Sequence, residues 1–251
     1  MKEKYQNKFI FALFLAFVIT LGNLALSFKN TKECQAIIKA EDYDGMTIVL
    51  DMGHGDFDGG AVAEDGTMEK DINLEIGIKL RDLLKLSGYT VITTRSDDNI
   101  TLPDTANTIR EKKLYDMENR LNILKNNSNA IFISIHQNKF PDSSIKGAQV
   151  FYNDKKEKSQ ALASCIQKSL KEIADNDNTR VAKSSGKEYY LLEYSENCGV
   201  IIECGFISNP TELTKLKDSN YQKKIALAIL KGIDDFISED IKKSEVLLVC
   251  Q

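Results

Sequence analysis

The chain has no tryptophan, three prolines and only two histidines, His54 and His136, in 251 residues. Its five cysteines (Cys34, Cys165, Cys198, Cys204 and Cys250) contain no CxxC pair, which excludes a cysteine-rich zinc site. They are too few, too scattered and odd in number for a disulfide framework. Small buried hydrophobes is the plainer reading, and it suits Cys165 and Cys204 best. Positive charge is not in excess either: 33 Lys and Arg against 37 Asp and Glu give a formal net charge of −4. A nucleic-acid binder would show a basic face, so nucleic acid is set aside as a partner. There is no internal repeat and no low-complexity tract. What remains, 42% hydrophobic and 28% charged, is the composition of an ordinary globular protein with the length for one domain, two at most.

The first residues depart from that composition. Lys2, Lys4 and Lys8 precede an apolar run from Phe9 to Ile19, continued by "TLGNLALSF". A basic head before an apolar middle is an export signal, and Ala25 and Ser27 supply small residues where a signal peptidase would cut. The same stretch, Phe9 to Phe28, has roughly the 20 residues that span a bilayer, although Asn23 suits a permanent span poorly. Residues 1–28 are therefore expected to be a signal peptide or membrane anchor that places the protein outside the cytoplasm, membrane-associated or secreted. Residues 29–45, polar and without periodicity, read as a linker.

From Thr47 the pattern becomes regular. "TIVLDM", "YTVITTR", "AIFISIH", "GAQVFY" and "GVIIECG" read as strands, and "EYYLLE" as a further short one. Between them lie helical patterns. One carries Ile72, Ile76, Leu80, Leu83 and Leu84 and ends at Gly88; another carries Leu114, Met117, Leu121 and Leu124 on one face. "KSQALASCIQKSLKEIA" is a third. In "SNPTEL", Asn209 can cap a helix with Pro210 at its first position and Glu212 three residues after the cap. A last helix is built on Ile225, Leu227, Ile229 and Phe236. Residues 96–110 read as a polar loop. Strands that alternate with helices and are apolar on both faces predict an α/β protein with a mostly parallel sheet. The folded part is assigned to residues 46–238, with 239–251 as a C-terminal tail.

Both histidines stand at strand ends. His54 follows "TIVLDMG", His136 closes "AIFISIH", and Glu203 sits at the end of "GVIIE". In open α/β sheets the carboxyl edge of the strands is where ligands bind. A lone histidine or glutamate there is ordinarily just a polar residue. Here, however, the whole histidine supply occupies equivalent positions, and two neutral imidazoles aimed into one cleft suit zinc. Catalytic zinc takes three protein ligands and leaves a position for water. Asp56, Asp58, Glu64, Asp65 and Glu69 are the candidates for the third. Glu69 also has a plain explanation, since a carboxylate in the first turn of a helix complements its dipole. Pattern alone does not choose between it and Asp58. Glycines on both sides of His54 leave room for close approach to a ligand.

"LDMGHGD", "MEKDINLEIGIKL", "FISIHQN" and "VIIECGFISNPTE", in that order, resemble the zinc-dependent N-acetylmuramoyl-L-alanine amidases of the amidase-3 type. The likeness runs from about Met46 to Phe236. It implies a single α/β domain on a twisted, mostly parallel six-stranded sheet with helices on both faces. It also implies one zinc held by His54, Glu69 and His136, with Glu203 as the catalytic carboxylate rather than a ligand. Asn138 and Asn209 match polar positions beside the family's site and are expected to bind substrate. The chain departs from the family at Met52, where proline is usual, at Asp56, where glycine is common, and at Gln137 and Cys204. Losing the proline is expected to leave the loop before His54 less preset.

No cell-wall-binding repeat is seen. A lone catalytic domain behind one apolar leader resembles the sporulation and germination amidases of endospore formers, which trim stem peptides so that muramic-δ-lactam can form. Such a protein would work between the forespore membranes. The implied reaction is hydrolysis of the amide joining muramic acid to L-alanine in peptidoglycan, with Glu203 as general acid and base. Two rivals are carried. One is a peptidoglycan- or partner-binding protein on the same fold, and the other is a zinc peptidase cutting within the stem. A sporulation helper protein that stabilises the metal-bound form is also conceivable.

Overall fold

The computed structural model describes residues 46–249, so the leader and linker assigned to 1–28 and 29–45 lie outside the described residues. Among the described residues no helix is long and apolar enough to cross a membrane. The elements in order are β1 (Thr47–Met52), α1 (Glu69–Leu86), β2 (Thr90–Thr93), α2 (Ile109–Asn126), β3 (Ile131–Asn138) and β4 (Gln149–Tyr152). There follow α3 (Glu157–Ser169) with a π-helical extension (Leu170–Ala174), β5 (Lys183–Ser184), α4 (Tyr190–Tyr194), β6 (Gly199–Phe206), α5 (Pro210–Leu216) and α6 (Ser219–Val249). The stretch set apart as a tail, 239–251, continues α6 as far as Val249.

The six strands form one sheet in the order β2-β1-β3-β6-β4-β5. All neighbours pair parallel except β4 with β6. The chain leaves β1 for β2 on one side and returns to β3 on the other. The C-terminal ends of β1 and β3 therefore flank a switch point, where such sheets open a crevice.

Alternation within the strands divides the core in two. Ile48, Leu50 and Met52 of β1, Ile131, Ile133 and Ile135 of β3, and Val200, Ile202 and Cys204 of β6 face the large core. There they meet Ile72, Ile76 and Leu80 of α1, Leu162 and Ile166 of α3, and Ile229 and Ile233 of α6. Each such Ile or Leu, fully buried, contributes roughly 1.5–3 kcal/mol. The opposite face carries Val49, Phe132 and Ile201 under Leu121 and Leu124 of α2 and Leu191 and Leu192 of α4. Helices thus cover both faces. The strands are not apolar on both faces, however. Along the second one Val49 gives way to Asp51, Phe132 to Ser134 and His136, and Ile201 to Glu203, so its carboxyl end is polar.

"EYYLLE" is not a strand but leads into helix α4. Adjacent Leu191 and Leu192 both enter the smaller core, which a strand, turning neighbours to opposite faces, does not allow. The sixth strand is instead the short β5 beside β4. On α2, Leu121 and Leu124 are buried as expected, but Leu114 is 55% exposed. That helix opens with a capping box between Thr108 and Glu111. On α5 only half of the expected box forms. Asn209 accepts from the backbone N–H of Thr211 and Glu212, whereas the Glu212 carboxylate accepts from Gly147 N–H and Phe206 N–H instead. Cys204 is fully buried and Cys165 is half-buried against the large core.

Candidate metal centre

Glu69 is the first residue of α1, yet its carboxylate does not face solvent at the helix start. It is 4% exposed and lies between the two imidazoles. His136 Nδ1 is 2.9 Å from Glu69 Oε1, and His54 Nε2 is 3.2 Å from Oε2. His54, Glu69 and His136 form the one group of this kind found among the described residues, with one donor atom from each within 4.8 Å of the others. Ligands at about 2.0–2.1 Å around a tetrahedral zinc lie roughly 3.3 Å from one another. Two imidazoles against one carboxylate, with a donor atom of each within 4.8 Å of the others, are the residue types and the spacing that such an ion can draw together. The charge balance points the same way. Burial would raise Glu69, but its hydrogen bonds to His136 and His54 outweigh that and hold it far below the usual carboxylate range. Burial would lower His54, but Asp58 and Glu69 raise it to about 9. Asp58 and Glu69 thus favour positive charge at the His54 ring.

The other acidic candidates stand apart. Asp58 accepts from His54 Nδ1 at 2.9 Å and pairs with Lys113 at 3.0 Å. It orients the ring from outside, as outer partners of metal-bound histidines do. Asp56 and Glu64 are exposed, and Asp65 pairs with Lys217.

The loop before His54 is held by two arginines. Arg95 donates to the carbonyls of Met52 (2.8 Å) and Gly53 (3.2 Å), and Arg120 to those of Met52 (3.1 Å) and His54 (2.7 Å). Arg120 is itself fixed by Asp51 at 2.5 Å and Asp116 at 2.9 Å. Asp51 also accepts from Ser134 and Thr94. Burial would raise the Asp51 carboxyl, but Arg120 and these hydrogen bonds bring it down to about 2. His54 takes the left-handed conformation, φ 62°, and Asp56 does too at 46°. That explains why glycine is usual at the second position, and the clamp on the His54 carbonyl holds a backbone that non-glycine residues rarely adopt. The loop that lacks proline is therefore not left loose. Met52 is instead fully buried against Gly77.

Glu203 lies one strand away, paired in register with His136. It is 7% exposed; Oε1 accepts from the Tyr189 hydroxyl at 3.2 Å, and Oε2 has no protein partner. Burial raises its pKa, and His136 only partly offsets this. Its hydrogen-bond partner Tyr189 and its register partner His136 line a cleft of about 240 Å³, together with His54, Met117, Tyr190 and Leu191. Asn138 ends β3 and is half-buried, with its carbonyl accepting from Ile207 N–H. The Asn209 side-chain oxygen caps α5, accepting from Thr211 N–H and Glu212 N–H.

Several contributors escape sequence reasoning. Asn73, one helical turn after Glu69, donates to Glu69 Oε1 at 3.3 Å, and Gln137 N–H donates to the same oxygen at 3.0 Å. The i, i+4 pair Asp116–Arg120 and the lone Asp51 in an apolar run were signals open to reading. Nothing in sequence joins Tyr189 to Glu203.

The sequence matches the family of N-acetylmuramoyl-L-alanine amidases, Amidase_3, over residues 48–235. The chain belongs to that family. This amidase is 34% identical over 225 residues to the germination-specific N-acetylmuramoyl-L-alanine amidase of Bacillus subtilis (strain 168), covering 90% of this chain and 93% of that one. Among solved structures, the CwlD amidase of Clostridioides difficile, in complex with the GerS lipoprotein, superposes with a TM-score of 0.74 at 46% identity. That match covers 77% of this chain and 99% of CwlD. The catalytic domain of CwlV from Bacillus (Paenibacillus) polymyxa gives 0.66 at 26% identity, over 77% and 98% of the two chains.

Proposed function

We propose that this amidase hydrolyses the bond between N-acetylmuramic acid and L-alanine in spore peptidoglycan, in the cortex modification that yields muramic-δ-lactam and permits germination. The observation that carries the reading is Glu203, a buried carboxylate with a free oxygen, in register with one member of a His-Glu-His donor group. His54 Nε2, Glu69 and His136 Nδ1 are the atoms that would hold zinc. When bound, zinc supplies Lewis-acid polarisation of the amide carbonyl and a water of lowered pKa. The rest is done by the chain. Asp58 accepts a hydrogen bond from His54 Nδ1–H and so leaves the Nε2 lone pair for a metal. Glu203 takes a proton from the attacking water and returns it to the leaving nitrogen. Its raised pKa suits both halves of that task.

A binding-only protein would have no need of a buried, desolvated glutamate at this place. A stem peptidase remains the rival that products must separate. On the same reading the protein acts outside the cytoplasm, between the forespore membranes of a spore former, retained by the leader or by a helper protein. The GerS complex of CwlD supports the second device. The test is muropeptide analysis with the zinc-loaded chain alongside Glu203→Ala. Expected are stem peptides released with free L-alanine amino ends, one zinc per chain in both proteins, and a roughly 10²–10⁴-fold slower variant. Cleavage inside the stem would favour the peptidase, and zinc loss in Glu203→Ala would make Glu203 a ligand.

A further inference from the structure

We infer that Tyr189 is a positioning residue of the reaction: its hydroxyl holds one oxygen of Glu203 so that the other makes both proton transfers. The inference rests on the amidase reading. Glu203 is nearly sealed from water, and its two oxygens are treated differently. Oε1 accepts from Tyr189 at 3.2 Å, while Oε2 is buried without a partner. A buried polar atom without a partner is uncommon and calls for a reason. A substrate or water proton arriving from the cleft supplies one.

The geometry of Tyr189 suits a fixed donor. It precedes α4 in an extended conformation, with its carbonyl accepting from Glu193 N–H at 3.0 Å. Its ring packs on Phe151, centroids 5.4 Å apart, and it lines the same cleft as His54 and His136. Burial, together with the Glu203 charge, pushes its phenol far above the usual range, so it stays protonated and always donates.

Carboxylate rotation about its last torsion is soft. Without an anchor, either oxygen could turn towards the water. In the reaction a water O–H bond breaks as Oε2–H forms. The water oxygen bonds to the amide carbonyl carbon in the same step; then Oε2–H breaks, the amide C–N bond breaks and N–H forms, which leaves a carboxylic product and returns Glu203 to its charged state. Both transfers need hydrogen-bond reach of about 2.6–3.2 Å. Anchoring Oε1 lets one oxygen serve both without turning over. Tyr189→Phe removes the hydroxyl and keeps the ring on Phe151.

The experiment uses the full chain, zinc-loaded, on a muramoyl-peptide substrate. In Tyr189→Phe, kcat is expected to fall roughly 10- to 100-fold, the worth of one hydrogen bond to a charged group. KM should stay within about twofold, and zinc content and unfolding midpoint should not change. On a Glu203→Gln background the same change should add no further loss, because residues acting as one unit are not additive. Full turnover in Tyr189→Phe overturns the inference. So does an equal loss on both backgrounds, or a loss of zinc or fold, which would make Tyr189 a packing residue. Failure of the amidase reading would show separately, as no release of stem peptides by the unsubstituted chain.

Discussion

Gly53→Ala should empty the metal site while leaving the fold largely intact. Gly53 precedes His54, but the space left by its missing side chain belongs to the other histidine. A Cβ at this position would lie 2.3 Å from both Cε1 and Nε2 of His136, and 2.7 Å from Nδ1. Carbon atoms in contact settle at about 3.5–4.0 Å, so the ring would have to retreat by more than about 1 Å. Metal ligands tolerate only about 0.2 Å of misplacement. Gly53 is not in the left-handed region, so alanine brings no backbone strain and the collision acts on the ring alone. Overcrowding of this kind costs about 1–3 kcal/mol of stability. Zinc affinity should fall roughly 100-fold or more, beyond the 10–100-fold typical of losing an outer partner. The assay is zinc titration against a chromophoric chelator, with thermal unfolding of the same metal-free samples. Gly66→Ala is the control. Its φ of 85° makes it a strained position, but nothing lies within 4 Å of the added carbon, so it should lower stability and leave zinc alone. Unchanged zinc affinity in Gly53→Ala would refute the reasoning.

Arg120→Met should destabilise the fold by about 3–5 kcal/mol, because it strands the buried Asp51 carboxylate; an unfolding midpoint like that of the unsubstituted chain would contradict this. Zinc binding should also depend on pH with a definite sign. His54 is raised from 6.5 to about 9 in the metal-free fold, so its contribution to stability is fully present below about pH 6.5 and fades as the pH rises through 9. Zinc must displace that proton, so its association constant should rise about tenfold per pH unit from 7 towards 9 and then level off. A flat profile in calorimetry over that range would count against a protonated His54.

The apolar runs were legible because burial on the large-core face leaves a strict record. At every second place there stand Ile48, Leu50 and Met52 of β1, Ile131, Ile133 and Ile135 of β3, and Val200, Ile202 and Cys204 of β6. The ends of those strands were legible too, since the chain's two histidines, His54 and His136, and Glu203 stand at equivalent places. Pattern alone does not single out Glu69 as the third member of the donor group. Glu69 at a helix start has a sufficient local explanation, and only the fold shows that α1 points its first residue inward, with Asn73 one turn behind it. The segment 188–193 misled because its paired tyrosines, Tyr189 and Tyr190, favour strands in isolation. Tertiary demand decided otherwise, with two adjacent leucines wanted in one core. The glycines around His54 do not all clear space for its own ring: Gly53 makes room for His136, and Gly60 for both Glu69 and His54, where a Cβ would meet Glu69 Oε2 at 2.6 Å and His54 Cδ2 at 2.7 Å. Such reciprocal clearance joins residues far apart in the chain, and no local pattern records it.

The polar face of the sheet raises the question of why buried charge is kept so close to the centre. Asp51, Arg120 and Asp116 gain little stability as ion pairs, since desolvation takes back most of what their attraction gives, and apolar residues of similar size would serve the core at least as well. Their value lies in where the guanidinium points. Arg120 can donate to the carbonyls of Met52 and His54 only because Asp51 and Asp116 hold it from the other side. Those carbonyls belong to the turn that sets His54 at φ 62°. A proline at Met52 would stiffen this turn through the chain itself, but it would remove the N–H that meets Thr94 Oγ1 at 3.4 Å. Here the stiffness comes from outside the loop, through α2 and from Arg95 just after β2. The position of His54 is therefore coupled to the seating of α2 on the sheet, and substitutions beneath that helix should reach the metal site without touching a ligand.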